Sequence, residues 1–133
     1  MSTLPSEVPS EWRTAFRRTL EHPPSAAVDT IIEDGMELPF CGGIIVIGTP
    51  GHTPGHISLY HKASKTLIAA DALIVEAGRL LGPTPHFCVD PQLALQSLQT
   101  FTEYDIDHVI CYHGGLYTGN VNARISDLAA ETV

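Results

Sequence analysis

The sequence predicts an α+β fold in which one mixed sheet is flanked by helices. Short runs rich in β-branched residues occupy the middle of the chain, whereas apolar residues recur at helical spacing near both termini. The elements come as strands followed by helix, strand and helix, an order that indicates a mixed class. At 133 residues the chain is long enough to bury a core of its own.

Residues 1–26 are predicted to be a polar lead-in followed by an amphipathic helix, and residues 27–133 to be the main domain. The helix is expected over residues 11–22, where apolar residues recur every four positions and form one stripe. These residues are Trp12, Phe16 and Leu20. The pair Pro23-Pro24 ends the helix, because proline lacks the amide hydrogen that a helix interior needs.

The main domain is predicted to contain six strands and one short hairpin. The strands are expected over residues 28–33, 36–40, 44–47, 57–60, 66–70 and 108–112, and the hairpin over 74–81. Residues 44–47 are apolar on both faces, so this strand is expected to be central in the sheet. Turns are indicated by Asp34-Gly35, by residues 62–65 and by Ala77-Gly78.

Two helices are predicted in the C-terminal part. The first begins at Asp90-Pro91, because aspartate caps a helix and proline suits its first position. Its apolar stripe consists of Ala94, Leu98 and Phe101. The apolar stripe of the second consists of Val121, Ile125 and Leu128.

The charge balance argues against two classes of partner. Acidic residues outnumber basic ones 15 to 7, and the formal net charge is −8. Nucleic acid and anionic membrane surfaces would repel such a chain, so neither is an expected partner. The polar N-terminus, the lack of a long apolar run and three widely spaced, unlinked cysteines favour a cytoplasmic protein.

Three polar residues each follow the end of an apolar strand: His52, Asp71 and His113. Two imidazoles and a carboxylate suit Zn²⁺, Fe²⁺ or Mn²⁺. Glycines beside both histidines would let the backbone and a metal come close without a Cβ in the way. Taken singly, each residue also fits a capping or hydrogen-bonding role, so the residues alone leave a shared metal site and separate structural roles both open.

The segment from Thr49 to His56, TPGHTPGH, resembles the Pro-Gly-His-Thr-x-Gly-His signature of the metallo-β-lactamase superfamily. That family follows the signature with an apolar run ending in Gly-Asp, which is similar to residues 67–71 with Ala70 in place of glycine. A later apolar strand ending in a histidine resembles residues 109–114. The resemblance covers the chain from about residue 28 and implies the C-terminal half of an αββα sandwich.

The resemblance also implies roles for individual residues. His52 corresponds to a ligand of the first metal site, Asp71 to the carboxylate that bridges two metals, and His113 to the terminal ligand of the second site. His56 corresponds to a packing and hydrogen-bonding residue. The implied chemistry is hydrolysis of an ester, thioester, lactone or phosphoester by a metal-bound hydroxide, with zinc, or iron or manganese, as the cofactor.

One part of the family pattern is missing from this sequence. The His-x-His-x-Asp-His motif that supplies the other ligands is absent, since no two of the seven histidines are separated by a single residue. We therefore expect a truncated domain in which each metal position keeps only part of its ligands, so that this chain alone binds metal weakly or not at all. One ion held by all three side chains and a water is the alternative, if the three converge.

A half-sandwich would leave one face of its sheet uncovered. Ile45, Ile47, Leu59 and Ile68 are the candidates for that face. Because monomers rarely expose large apolar patches, we expect sheet-to-sheet pairing of two chains, a partner, or helix 11–22 over the gap. Three interpretations remain: a small-molecule hydrolase, a non-catalytic dimerisation or interaction module, and a half-enzyme completed by another chain.

Overall fold

The computed structural model describes residues 9–131. The chain forms two compact units that divide between Ile31 and Ile32, a few residues after the boundary expected at residue 26. Among the described residues, no helix has the length and apolar character needed to cross a bilayer.

The first unit contains helix α1, Ser10–Glu21. The helix is the one predicted from its apolar stripe, and it begins one residue earlier than expected. It ends where the amide of His22 donates to the carbonyl oxygen of Arg18 at 2.8 Å, immediately before the two prolines. The idea that this helix covers the sheet of the second unit stays a prediction.

The prediction of a strand over residues 28–33 is wrong. These residues have no regular secondary structure, and Val28 and Ile31 are each 79% exposed. The β-branched composition favours an extended backbone, but a strand also needs a neighbouring strand with which to form hydrogen bonds. The turn at Asp34-Gly35 is present, and Gly35 has a φ of +82°.

The second unit contains a six-stranded mixed sheet and a separate hairpin. The strands of the sheet are β1 (Glu37–Leu38), β2 (Ile44–Gly48), β3 (Ile57–His61), β4 (Thr66–Ala70), β7 (His108–Cys111) and β8 (Gly115–Thr118), in the spatial order β1-β2-β3-β4-β7-β8. Only β4 and β7 pair in parallel. The hairpin consists of β5 (Ile74–Glu76) and β6 (Arg79–Leu81), and it turns at Ala77-Gly78 as predicted.

The helices of this unit supply residues to the core on one face of the sheet. Helix α2 (Pro91–Ser97) begins where Oδ1 of Asp90 accepts a hydrogen bond from the amide of Leu93 at 3.0 Å. A 3₁₀ helix, Leu98–Glu103, continues it, and α3 is Val121–Ala129. The largest core residues are Phe101, Ile47, Leu67, Leu73, Leu80, Leu98, Ile125, Leu128 and Val109. The mixed sheet with flanking helices confirms the predicted α+β class.

The opposite face of the sheet carries a continuous apolar row. Cross-strand pairing aligns Val46, Leu59, Ile68, Ile110 and Leu116. None of the five belongs to the core cluster. Ile110 is 42% exposed and Leu116 is 61% exposed, so the row reaches solvent at the β7–β8 side. We refer to these five residues as the apolar row.

Of the four residues that the sequence analysis assigned to the uncovered face of the sheet, two lie on that face and two do not. Leu59 and Ile68 belong to the apolar row, whereas Ile45 and Ile47 lie on the face that packs against the core. Residues 44–47 are all apolar, so the strand lacks the alternation that would show which side chains face which way. Strand β8 is not predicted by the sequence, because the glycine pair at its start indicates a turn.

Candidate functional site

Three strand ends meet at one edge of the sheet. Strand β3 is antiparallel to both β2 and β4, and β4 is parallel to β7, so β2, β4 and β7 run in the same direction. His52, Asp71 and His113 follow the ends of these three strands. The structure therefore brings together the three residues singled out in the sequence.

The carboxylate of Asp71 lies between the two imidazoles. Nε2 of His52 is 3.4 Å from Oδ2 of Asp71, and Nε2 of His113 is 3.3 Å from Oδ1. Each carboxylate oxygen thus faces a different ring. His52 and Asp71 are partly buried, whereas His113 is mostly exposed, so the site is open on the His113 side.

A chain of hydrogen bonds fixes the backbone of Asp71. Its amide donates to Nε2 of His56 at 3.1 Å, and Nδ1 of His56 lies 2.8 Å from the hydroxyl of Thr49. That hydroxyl is 3.1 Å from Oγ of Ser58, which donates to the carbonyl oxygen of Ala69 at 3.1 Å. This hydrogen-bond relay joins the ends of β2 and β4 through the start of β3.

The direction of every hydrogen bond in the relay follows from its two ends. The Asp71 amide can only donate, so Nε2 of His56 accepts and Nδ1 carries the proton. Ser58 donates to a carbonyl, so it must accept from Thr49, which in turn accepts from His56. Burial lowers the pKa of His56, although the Asp71 carboxylate acts in the opposite direction. Both ring nitrogens of His56 are engaged, so it is a hydrogen-bonding residue, as the resemblance implies.

The glycines beside the two histidines make room for neighbouring backbone. A Cβ on Gly51 would lie 2.2 Å from Cα of Ala94, and a Cβ on Gly114 would lie 1.9 Å from the carbonyl oxygen of Val75. Both glycines have positive φ, +136° and +101°. The predicted close approach of backbone is present at both glycines, where α2 and β5 pack directly against the loops that carry His52 and His113.

Ala70, which precedes the central carboxylate, has an unusual backbone. Its φ is +55°, in the left-handed region that glycine adopts most readily. The pairing of β4 with β7 shifts register between Ile68 and Ala70, and the Ala70 carbonyl accepts from the amide of Tyr112 at 3.0 Å. This irregularity turns the chain out of the strand at Asp71, and it explains why a glycine suits this position.

A cavity of about 450 Å³ opens beside the three residues. Its other lining residues are Ile74, Pro83, Thr84 and Phe87. The family resemblance implies that the segment around residues 82–90 helps to shape the substrate mouth, with His86 and Phe87 as candidate contributors, and three of these four lining residues lie in that segment. His86 instead places its ring edge-on to Phe87, with the ring centroids 5.5 Å apart. Ile74 was missed, because its contribution depends on how the β5–β6 hairpin packs onto the strand ends, where the amide of Val75 donates to the carbonyl oxygen of His113 at 3.0 Å.

The comparisons with known proteins settle the family. The family model described as the metallo-beta-lactamase superfamily matches residues 4–113, which is most of the chain. This chain belongs to the metallo-beta-lactamase superfamily.

Two curated members of the superfamily have clear sequence similarity to this chain. A probable metallo-hydrolase of Bacillus subtilis, YflN, is 32% identical over 117 residues, which are 79% of this chain and 44% of that protein. A hydroxyacylglutathione hydrolase of Brucella anthropi is 35% identical over 101 residues, which are 74% of this chain and 36% of that protein.

Solved structures of superfamily members share the fold. A metallo-beta-lactamase family protein of Thermus thermophilus, TTHA1429, superposes with a TM-score of 0.59 at 24% identity and covers 93% of this chain. TTHA1623 in a di-iron-bound form superposes with a TM-score of 0.58 at 27% identity and covers 77% of this chain. The matches span 46% and 48% of those two chains, so this chain spans less than half the length of each of these relatives.

The superfamily is metal-dependent, so the three residues are candidates for metal ligands. Their donor atoms suit a borderline-hard divalent ion. Within residues 9–131, however, no group of three or more His, Cys, Asp or Glu side chains is arranged to hold an ion. Nε2 of each histidine instead lies within 3.4 Å of a different carboxylate oxygen of Asp71. The donor types therefore suit a divalent ion, but the described residues alone do not form a complete site of the three or four ligands that zinc takes from proteins.

Proposed function

We propose that this chain carries part of the active site of a metal-dependent hydrolase acting on an ester, thioester or lactone bond. The observation that supports this most directly is the Asp71 carboxylate between His52 and His113, with one oxygen toward each ring. The two histidines and the aspartate are the proposed ligands of Zn²⁺, Fe²⁺ or Mn²⁺. The similarity to a hydroxyacylglutathione hydrolase and to a di-iron-bound protein supports both the reaction class and the metal.

The residues of this chain have defined tasks in the proposed reaction. A bound divalent metal would supply a water of lowered pKa and would polarise the substrate carbonyl. Asp71 is held by two constraints, since the relay through His56 fixes its backbone amide and the two imidazoles flank its carboxylate. Such preorganisation keeps the donors in place before substrate arrives.

The remaining ligands must come from outside the described residues. We propose that a second polypeptide, or a second copy of this chain, completes the centre and covers the apolar row. The exposed Ile110 and Leu116 support this, because apolar surface of this kind usually marks an interaction site.

The proposal is tested by loading the purified chain with Zn²⁺, Fe²⁺ or Mn²⁺ and measuring hydrolysis of ester, thioester and lactone substrates. If a second copy of this chain completes the centre, the purified chain will show metal-dependent turnover that Asp71→Asn and His113→Gln abolish; if a second polypeptide completes it, the same turnover will appear only after that polypeptide is added. His108→Gln is the matched control, because His108 is exposed at the start of β7, at the opposite edge of the sheet. Turnover that survives Asp71→Asn, or that needs no metal, would refute the proposal.

A non-catalytic interaction module is the second candidate function, and the apolar row is the observation that favours it. If a second copy covers the row, light scattering will give a dimer that Ile110→Asp converts to a monomer, while Phe40→Asp, an exposed apolar residue outside the row, leaves it intact. A monodisperse monomer that binds no apolar-surface dye would contradict this candidate.

A further inference from the structure

Thr49 lies outside the cavity, yet its hydroxyl is at the centre of the relay that reaches Asp71. The residue follows β2 immediately, is 2% exposed and does not line the cavity. We propose that Thr49 is a positioning residue whose hydroxyl, acting through His56 and Ser58, holds the turn that presents the Asp71 carboxylate. The inference rests on the proposed function, because that function makes Asp71 a metal ligand, and it adds a residue that touches neither substrate nor metal.

Asp71 lies in a tight turn whose backbone groups are bonded from several sides. The amide of Ala72 donates to the carbonyl oxygen of Ala69 at 2.9 Å, which closes the turn. The carbonyl oxygen of Ala70 accepts from the amide of Tyr112 at 3.0 Å, and the φ of Ala70 is +55°. An alanine stays in the left-handed region only where the surrounding structure fixes it there. The turn therefore depends on contacts from outside β4.

Two side-chain hydrogen bonds supply such contacts. Nε2 of His56 accepts from the amide of Asp71 at 3.1 Å, and Oγ of Ser58 donates to the carbonyl oxygen of Ala69 at 3.1 Å. Oγ1 of Thr49 lies 2.8 Å from Nδ1 of His56 and 3.1 Å from Oγ of Ser58. One buried hydroxyl therefore supports both side chains that hold the turn.

The Thr49 hydroxyl selects the form of His56 that can hold Asp71. A neutral imidazole carries its proton on one nitrogen and accepts through the other. Because Thr49 accepts from Nδ1, Nε2 is left to accept from the Asp71 amide. Without the hydroxyl, a proton on Nδ1 would lose its acceptor, which is costly away from water, and a proton on Nε2 would face the amide. Either form weakens the contact with Asp71.

The branch through Ser58 should matter less than the branch through His56. Ser58 is 1% exposed and accepts from Thr49 while it donates to the carbonyl oxygen of Ala69. That carbonyl oxygen would keep the amide of Ala72 as a donor if the Ser58 hydroxyl were removed. We therefore expect Ser58→Ala to loosen the turn less than the loss of the Thr49 hydroxyl does.

The rotamer of the Asp71 side chain, measured by NMR on the full chain without metal, tests the inference. Three-bond couplings between Hα and the two Hβ atoms show whether χ1 occupies one staggered well or several. We expect one dominant rotamer in the wild type and averaged couplings in Thr49→Val, which removes the hydroxyl at nearly constant shape. The Asp71 amide should also exchange with solvent roughly tenfold faster in that variant, because its acceptor is no longer fixed.

A conservative variant and a matched control separate positioning from general stability. Thr49→Ser keeps the hydroxyl and should restore both the single rotamer and the slow amide exchange. Tyr60→Phe also removes one hydroxyl, which donates to the carbonyl oxygen of Asp105 at 2.6 Å near the opposite edge of the sheet. Both Tyr60→Phe and Thr49→Val should lower the midpoint of urea denaturation, but only Thr49→Val should change the Asp71 couplings.

Three results would overturn the inference. These are unchanged Asp71 couplings and amide exchange in Thr49→Val, the same changes in Tyr60→Phe, and a failure of Thr49→Ser to restore the wild-type values. If Thr49→Val does not fold, Ser58→Ala decides: a smaller change in the same direction supports the positioning role, and no change contradicts it.

A Zn²⁺ titration of the same variants distinguishes this inference from the proposed function. If the wild type binds no metal but Thr49→Val releases the Asp71 rotamer, the proposed function fails and the positioning role stands. If the wild type binds Zn²⁺ and Thr49→Val changes neither the affinity nor the couplings, the proposed function stands and the positioning role is wrong.

Discussion

The backbone amide of Asp71 donates a hydrogen bond to Nε2 of His56 at 3.1 Å. This single contact links the central carboxylate of the site to the last histidine of the TPGHTPGH segment. It also explains why the segment contains two histidines with different tasks. His52 faces the carboxylate of Asp71, whereas His56 holds the backbone of the same residue.

The relay predicts which nitrogen of His56 carries the proton. The ring should be the Nδ1-protonated tautomer at pH 8, because Nε2 accepts from an amide. Nitrogen-15 NMR of the imidazole reports the tautomer directly, and Thr49→Val should shift the Nδ1 signal because it removes the acceptor. An Nε2-protonated ring in the wild-type chain would show that the relay is wrong.

Ala70→Gly should stabilise the second unit. Ala70 holds a φ of +55°, which costs an L-residue roughly 1–2 kcal/mol, whereas glycine pays a smaller entropic penalty. We expect the free energy of unfolding to rise by about 0.5–1 kcal/mol in urea denaturation. Ala72→Gly is the control: it is equally buried but has no positive φ, so it should lower stability. A destabilising Ala70→Gly would contradict this account of the strand end.

Gly51→Ala and Gly114→Ala should each damage the site by displacing the neighbouring element. The added methyl would meet backbone atoms of Ala94 or Val75 at about 2 Å, and both positions have positive φ. We expect a loss of at least about 2 kcal/mol in the free energy of unfolding for each. Gly55→Ala is the matched control, because nothing lies within 4 Å of its added Cβ and its φ is ordinary. Equal effects of all three substitutions would rule out close packing as the cause.

The cysteines should differ sharply in reactivity. Burial raises the pKa of Cys111 to about 12, so its thiol stays protonated and covered at pH 8, whereas Cys41 is exposed. Iodoacetamide labelling followed by mass spectrometry should modify Cys41 rapidly and Cys111 only on unfolding, since the thiolate is the reactive form. Fast labelling of Cys111 in the native chain would mean that β7 is less well packed than the structure indicates.

The strand-end residues could be located from the sequence, whereas the faces of the strands could not. Each apolar run ends abruptly at turn residues, so the sequence predicts that His52, Asp71 and His113 follow strand ends. Their role as metal ligands stays a prediction. Ile45 and Ile47 were assigned to the wrong face because an all-apolar strand has no alternation. The place of Ile74 in the cavity lining depends on long-range packing of the β5–β6 hairpin against the loop that carries His113, which no local pattern encodes.

The strand predicted over residues 28–33 is absent because strand formation also depends on long-range pairing. Val28 and Ile31 favour an extended backbone, yet both are exposed and unpaired with any strand of the described chain. Local residue preferences favour an extended backbone, but a strand forms only where a neighbouring strand pairs with it.

We propose that His52, Asp71 and His113 form one metal-binding centre organised around Asp71. Equilibrium titration of the purified chain with Zn²⁺ tests it most directly, using the wild type, the three single variants His52→Gln, Asp71→Asn and His113→Gln, and His108→Gln as the control. We predict measurable binding far weaker than the roughly 10–16 kcal/mol of a closed structural zinc site, with the largest loss for Asp71→Asn because both histidines share its carboxylate. Zinc binding that is absent in the wild type, or unchanged by Asp71→Asn, would contradict the account.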